Sequence, residues 1–263
     1  MNAKPTMSFL DSGTGFPVLL GHSYLFDKSM WSPQIATLSE HFRVIVPDLW
    51  GHGDSSALPG EPESLADIAD DHLALMDSLN IEQFAVVGLS VGGMWGAELA
   101  VAAPDRVRAL MLLDTFVGSE TDEARERYFG MLNAIDAAGS ISPALVDYIV
   151  GQFYSEFAEP ADIEQLNGYL SSLSADTLRH SILPLGKLIF GRTDRMSILD
   201  SVVCPAHVAT GKLDLPRPPA EGRLMAQALG CEFTLISNAA HISNRENPAF
   251  VTRLIVDFLS QHL

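Results

Sequence analysis

The segment Gly88-Leu89-Ser90-Val91-Gly92, with a third glycine at Gly93, follows an apolar, β-branched run (Phe84-Ala85-Val86-Val87) and opens onto a helix-like stretch at 94–103. A serine so placed sits on a strand-to-helix turn too tight for bulky neighbours. The flanking glycines let the backbone take strained angles and pass close to adjacent strands. Such a turn lifts the hydroxyl to the top of a sheet and aims a helix N-terminus at it, where the Val91 amide can donate to a developing oxyanion. A serine hydroxyl is a poor nucleophile at neutral pH and needs a base within hydrogen-bond reach. The base in turn needs an acid to hold its productive tautomer.

In elbows of this kind the acid and then the histidine follow the serine along the chain. The run Val208-Ala209-Thr210-Gly211-Lys212-Leu213-Asp214 ends in a turn bearing a carboxylate. A second strand-like run, 233–236, is followed by the loop 237–240 and then His241. Of eight histidines, His241 alone stands between a last strand and a helix beginning near Pro248. His52, in the glycine-rich loop after Asp48, reads as a structural hydrogen-bonding residue. His22 lies beside the turn expected to complete the oxyanion hole and is a candidate for either structure or pocket. His41, His72, His180, His207 and His262 have no supporting context. Ser90, His241 and Asp214 are therefore the candidate nucleophile, base and acid. Asp114, ending the run after the elbow helix, is the alternative acid.

These residues need a scaffold that brings strand ends together. Short apolar runs at 18–20, 44–46, 84–87, 109–113, 207–210 and 233–236 alternate with helix-like segments at 33–40, 65–79, 91–103, 219–229 and 248–259. That alternation predicts a mostly parallel sheet covered on both faces, an α/β fold. In the second helix Leu65, Ile68, His72, Leu75, Met76 and Leu79 recur at helical spacing as one buried face. The rhythm breaks over 115–203, where helical patterns at 124–137, 143–157 and 163–173 read as a cap. The expected division is a core of 1–114 and 204–263 with the helical cap 115–203 inserted over the sheet's C-terminal edge, where open α/β sheets bind ligands.

With 263 residues and 47% hydrophobic content, the chain can bury one large core. A net charge of −17 disfavours nucleic acid and anionic membrane as partners. No apolar run spans a bilayer, and Met1-Asn2-Ala3-Lys4-Pro5 shows no secretory leader, so a cytoplasmic location is expected. Cys204 and Cys231 are then expected as buried, reduced thiols beside strands. No metal site and no cofactor are predicted. The chain shows no unexplained apolar stripe for an oligomer interface, although the cap or last helix is compatible with a homo-oligomer.

The quoted motifs resemble the α/β-hydrolase superfamily. Met30-Trp31-Ser32-Pro33-Gln34-Ile35, His41-Phe42-Arg43-Val44-Ile45-Val46-Pro47-Asp48 and Gly51-His52-Gly53-Asp54-Ser55 are similar to the first third of a 3-oxoadipate enol-lactonase or related esterase. Gly88 to Met94 and His241-Ile242-Ser243-Asn244 resemble the same group, and the likeness spans both core halves without reaching through the cap. Two features depart from it. Members commonly carry His-Gly after the third strand, whereas this chain has Gly21-His22-Ser23, which makes the Ser23 amide the first candidate for the second oxyanion donor and Tyr24 the alternative. At the N-terminus only 6–11 looks like a strand.

The resemblance implies a serine hydrolase that forms an acyl-enzyme on a small-molecule substrate. A carboxylic ester ranks first, a lactone second and carbon–carbon bond cleavage third, with a non-catalytic ligand-binding protein as the reading from another class. His22, Tyr24 and Trp95 are candidate pocket residues, although Trp95, just past the elbow, reads first as helix–sheet packing. Arg125, Arg127, Arg179, Arg192 and Arg195 are the cap cations an anionic lactone would use, each also readable as a solvated helix charge. Phe116, Tyr128, Phe129, Met131, Phe153, Tyr154 and Phe157 are read as cap core before pocket wall.

Overall fold

The computed structural model describes residues 6–60 and 62–263; the stretch 1–5 read above for a leader lies outside them. The apolar runs form seven strands, β1 (Phe9–Ser12), β2 (Pro17–Gly21), β3 (Arg43–Pro47), β4 (Phe84–Leu89), β5 (Val107–Leu113), β6 (Ala206–Gly211) and β7 (Glu232–Ile236). They join in the order β1-β3-β2-β4-β5-β6-β7. Only β1 is antiparallel to its neighbour. All six residues of β4 are buried, as expected for a strand covered on both faces.

Register decides where the site falls. Gly21 pairs with Gly88, Leu89 with Leu113, Leu113 with Ala209 and Gly211 with Ile236. The C-terminal ends of five adjacent strands therefore finish at one level. The chain order reverses between β2 and β4, which places the crevice of an open α/β sheet at the turns following those two strands.

Helices α1 (Ser32–Ser39), α2 (Leu65–Ser78) and α3 (Val91–Ala102) pack around the first half of the sheet. The buried face of α2 carries Leu65, Ile68, His72, Leu75 and Met76 as its spacing predicts, while Leu79 forms its C-cap. His72 stacks on Trp95 of α3 with ring centroids 3.8 Å apart. Between β5 and β6 lie α4 (Asp122–Ala138), α5 (Pro143–Phe153), α6 (Pro160–Ser172) and α7 (Leu183–Gly191), the last entered through a wide turn at Leu178–Ile182. Helix α5 stops at Phe153, four residues short of the pattern read from sequence, and α7 carries no signal strong enough to have been read. Helices α8 (Pro219–Leu229) and α9 (Pro248–His262) complete the far side.

Cys204 and Cys231 are free, as expected, but half-buried, because each precedes its strand rather than lying within it. No described helix is long and apolar enough to cross a membrane.

Candidate active site

Ser90 occupies the single residue between β4 and α3, with φ 56° and ψ −121°. That left-handed backbone is costly for a residue with a side chain and persists only where its surroundings impose it. They do so here through the Ser90 amide, which donates to Leu113 O at 3.0 Å, and the Thr115 hydroxyl, which donates to Ser90 O at 2.6 Å. Glycine is required on both sides for reasons of space. A Cβ on Gly88 would lie 2.2 Å from Gly92 O, and one on Gly92 would lie 2.3 Å from Gly21 O.

The hydroxyl meets the other two candidates. His241 Nε2 lies 3.0 Å from Ser90 Oγ, and His241 Nδ1 lies 3.0 Å from both carboxylate oxygens of Asp214. With Nδ1 protonated toward the carboxylate, Nε2 is free to accept the serine proton. The Asp214 turn and the His241 loop are bonded directly, Lys212 N to Ile236 O at 2.8 Å and Leu213 N to Ala239 O at 2.9 Å. Asp214 also accepts from the Arg217 amide at 2.9 Å.

All three groups are buried, Ser90 retaining 8% exposure. Burial pushes the His241 imidazole down to about 4, opposed by the negative field of Asp114 and nearby glutamates. Burial likewise raises the Asp214 carboxyl well above the ordinary carboxylate range, against the stabilising Arg217 amide and charge.

Asp114, the alternative acid, is placed elsewhere. Its Oδ1 accepts from the Gly211 amide at 2.7 Å and its Oδ2 from the Ser243 hydroxyl. It makes no hydrogen bond to His241, and burial followed by the Asp214 charge raises its carboxyl well above the usual range. Asp114 braces the two loops that carry Asp214 and His241.

On the β2 side, His22 and Trp95 do not reach the cavity, so each takes the structural alternative of its sequence reading and not the pocket one. His22 is held between backbone groups, Nδ1 donating to Ser23 O at 2.8 Å and Nε2 accepting from the Leu49 amide at 2.9 Å. Trp95 is fully buried against the sheet. Tyr24 does face the cavity, and its hydroxyl donates to Ile182 O at 2.7 Å. Ser23 is completely buried, and its hydroxyl donates to Tyr24 O. His52 acts structurally, as expected. Its Nδ1 donates to Trp50 O, and its Nε2 accepts from the amide of Leu25, which sits at φ 68°. The pair His22 and His52 therefore sets the 23–25 turn opposite the elbow. Val91 opens α3, so its amide has no acceptor a turn earlier in the helix.

Above Ser90 and His241 is a cavity of about 870 Å³, counting its open mouth. Its walls are predominantly apolar, and residues from the segment between β5 and β6 supply most of them, among them Met131, Leu132, Ile135, Ile149, Ile189 and Phe190. Tyr128, Met131 and Phe153 line it although the sequence favoured cap core for them; Phe153 stacks on the His241 ring with centroids 5.3 Å apart.

None of the five arginines read above as candidate cations for an anionic lactone lines this cavity. Arg192 is buried against Glu120 at 2.7 Å, Arg195 pairs with Glu98 and Arg179 with Asp136. The arginine that does line it is Arg217, three residues beyond Asp214, which the sequence reading passed over. Its Nη2 binds both oxygens of Glu120 at 2.6 and 2.7 Å. Burial alone would raise Glu120, but Arg217 and Arg192 outweigh it and hold the carboxyl below its usual value. The signal for Arg217 was its adjacency to the acid turn. Among the described residues no cluster of His, Cys, Asp or Glu is arranged to hold a metal ion.

A mostly parallel sheet with a strained serine at the β4 end, meeting a histidine and an aspartate from the β7 and β6 ends, defines an α/β-fold hydrolase. The chain belongs to the alpha/beta hydrolase fold family, whose model matches residues 17–248. It is 24% identical over 244 residues to 3-oxoadipate enol-lactonase 1 of Acinetobacter baylyi, the match covering 92% of this chain and 88% of the relative. Among solved structures it is similar to a thermophilic esterase from Thermogutta terrifontis, solved with malate bound (30% identity, TM-score 0.87, 98% of this chain and 95% of that one). It is also similar to the enol-lactonase from Burkholderia xenovorans LB400 (29% identity, TM-score 0.85, 97% of each chain).

Proposed function

We propose that this hydrolase cleaves a small carboxylic ester with a largely apolar acyl or alkyl group, through an acyl-enzyme on Ser90. The observation that carries this reading is the unbroken Ser90–His241–Asp214 hydrogen-bonded chain opening directly onto an apolar cavity. In this account Ser90 Oγ attacks the carbonyl while His241 Nε2 takes its proton, and Asp214 holds the imidazole in its tautomer and stabilises the imidazolium. The Val91 amide and an amide of the 23–24 turn hold the oxyanion. Tyr24 is the better candidate within that turn because it borders the cavity, whereas Ser23 is wholly buried. His241 then returns its proton to the leaving alcohol, and a water activated by the same imidazole releases the acid. The segment 115–203 serves as the cap that shapes the acyl site.

The lactone reading draws on the enol-lactonases among the similar proteins. A lactone opens by the same attack, with the alcohol remaining tethered to the acyl group. The cavity's apolar walls favour the neutral ester, because the arginine that lines it is already bound by Glu120. The deciding experiment compares kcat/KM for neutral p-nitrophenyl esters of short fatty acids with that for an anionic enol-lactone. The proposal requires the neutral esters to be favoured by at least about tenfold, a difference of ~1.4 kcal/mol in transition-state binding. A preference for the anionic lactone overturns it in favour of the second reading. No turnover of either by folded protein would point to a ligand-binding role or to carbon–carbon bond cleavage.

A further inference from the structure

Glu246 ends the short helix Ser243–Glu246 that follows His241. One of its carboxylate oxygens accepts from the Ala240 amide at 2.5 Å; the other accepts from the amide and hydroxyl of Ser155 at 2.8 and 2.6 Å. On the opposite flank of the histidine, the Ile242 amide donates to Phe153 O at 3.3 Å. Between these two ties the Phe153 ring lies nearly parallel to the imidazole, at an interplanar angle of 19°. Residues on both sides of His241 are thus bonded to residues 153–155, at the end of α5. That helix also supplies Ile149, Gln152 and Phe153 to the cavity wall.

We propose that Glu246 is a positioning residue for His241, fixing the base loop to the end of α5 so that the imidazole and the substrate cavity are set in one register. The inference rests on the reading of Ser90 and His241 given above. Its physical basis is that one carboxylate bridges two chain segments through three donors. No shorter or neutral side chain can satisfy both ends, since a glutamine would turn an N–H₂ group toward donors on one side. A displacement of about 1 Å in a catalytic group costs on the order of 10²-fold in rate, so a loose base loop lowers turnover while leaving the apolar cavity intact.

Charge supplies an independent readout. The imidazole is faced by Asp214 from the β6 turn, Asp114 from the β5 end, Arg217 and Glu221 from the chain after β6, and Glu246. The Glu246 charge raises the His241 pKa, so its removal moves the acidic limb of the rate profile to lower pH.

The test is steady-state hydrolysis of a p-nitrophenyl ester across pH by Glu246→Gln, Glu246→Asp and Ser155→Ala, with Ser90→Ala as control. For Glu246→Gln we expect kcat to fall about tenfold to a hundredfold with KM changed less than about threefold, together with an acid limb displaced to lower pH. Glu246→Asp keeps the charge but not the reach, so its limb stays in place while kcat remains low. Ser155→Ala loses one donor and keeps the charge, giving a smaller fall in kcat and no limb shift. A kcat within about twofold of the parent in folded Glu246→Gln overturns the proposal, as does a lowered kcat in that variant with an unmoved limb, because removing a carboxylate that faces the imidazole must shift its titration. Should Glu246→Gln fail to fold, an unchanged kcat in Ser155→Ala overturns it. Failure of the underlying reading is distinguishable: it would appear as hydrolysis persisting in Ser90→Ala, whatever Glu246 does.

Discussion

At the scale of single residues, the chemistry turns on which carboxylate serves His241. Asp214 presents both oxygens to the imidazole at 3.0 Å, whereas Asp114 spends its oxygens on Gly211 and Ser243. Asp214→Asn should therefore lower kcat on the order of 10⁴-fold, the loss seen when a triad histidine is held in the wrong tautomer. Asp114→Asn should cost far less, since an amide oxygen can still accept from one of its two partners. Steady-state kinetics of the two variants checks this, and the reverse order of effects would reassign the acid. The pH dependence follows from burial. His241 must be neutral to act as base, and desolvation lowers its pKa from 6.5 to about 4. Rate should thus hold as pH falls through 6.5 and decline only toward that lower value, where the imidazole protonates. A limb centred at or above 6.5 in kcat/KM would show that the carboxylates around it outweigh burial. The three candidates were legible in the sequence because each sits at a strand end marked by turn residues. Arg217 and Glu246 are not legible as site residues: only the adjacency of Arg217 to the acid turn marks it locally, and the side-chain partners that define the two roles lie 97 and 91 residues away along the chain.

At the scale of elements, the site is made by the close packing of β2, β4 and α3. Gly92 of α3 touches the backbone of Gly21, and Gly88 touches Gly92, so that the elbow fits only without side chains. Gly92→Ala should therefore destabilise the protein by about 1–3 kcal/mol or more, the cost of overpacking where backbone cannot yield. A thermal unfolding midpoint equal to that of the parent would contradict this packing argument. The strands and the helices flanking the sheet were readable from hydrophobic periodicity to within a few residues, as with α2 and α8. The helices between β5 and β6 were read less well. Their apolar residues divide between packing on one another and lining the cavity, so Tyr128, Met131 and Phe153 carry the same sequence pattern as core residues. His22 and Trp95 stay open between structure and pocket in the sequence for a related reason: adjacency to the elbow along the chain or the helix does not specify which side of the backbone faces the ligand.

At the scale of the whole molecule, a formal charge of −17 surrounds a cavity with mainly apolar walls. That field repels anions over about a Debye length, ~10 Å at 0.1 M salt. For an anionic ester or lactone, kcat/KM should rise with ionic strength, while for a neutral ester it should stay flat; kinetics over a salt series distinguishes them, and a fall with salt for the anion would reveal a local positive field at the mouth. The proposed chemistry requires Ser90 to be an activated nucleophile at the floor of this cavity. Its most direct test is intact-protein mass spectrometry after reaction with a fluorophosphonate, with the labelled peptide mapped and Ser90→Ala treated in parallel. The expected result is one adduct per chain, carried by Ser90 and absent from the variant. Labelling that persists in Ser90→Ala, or no labelling of folded parent protein, would contradict it.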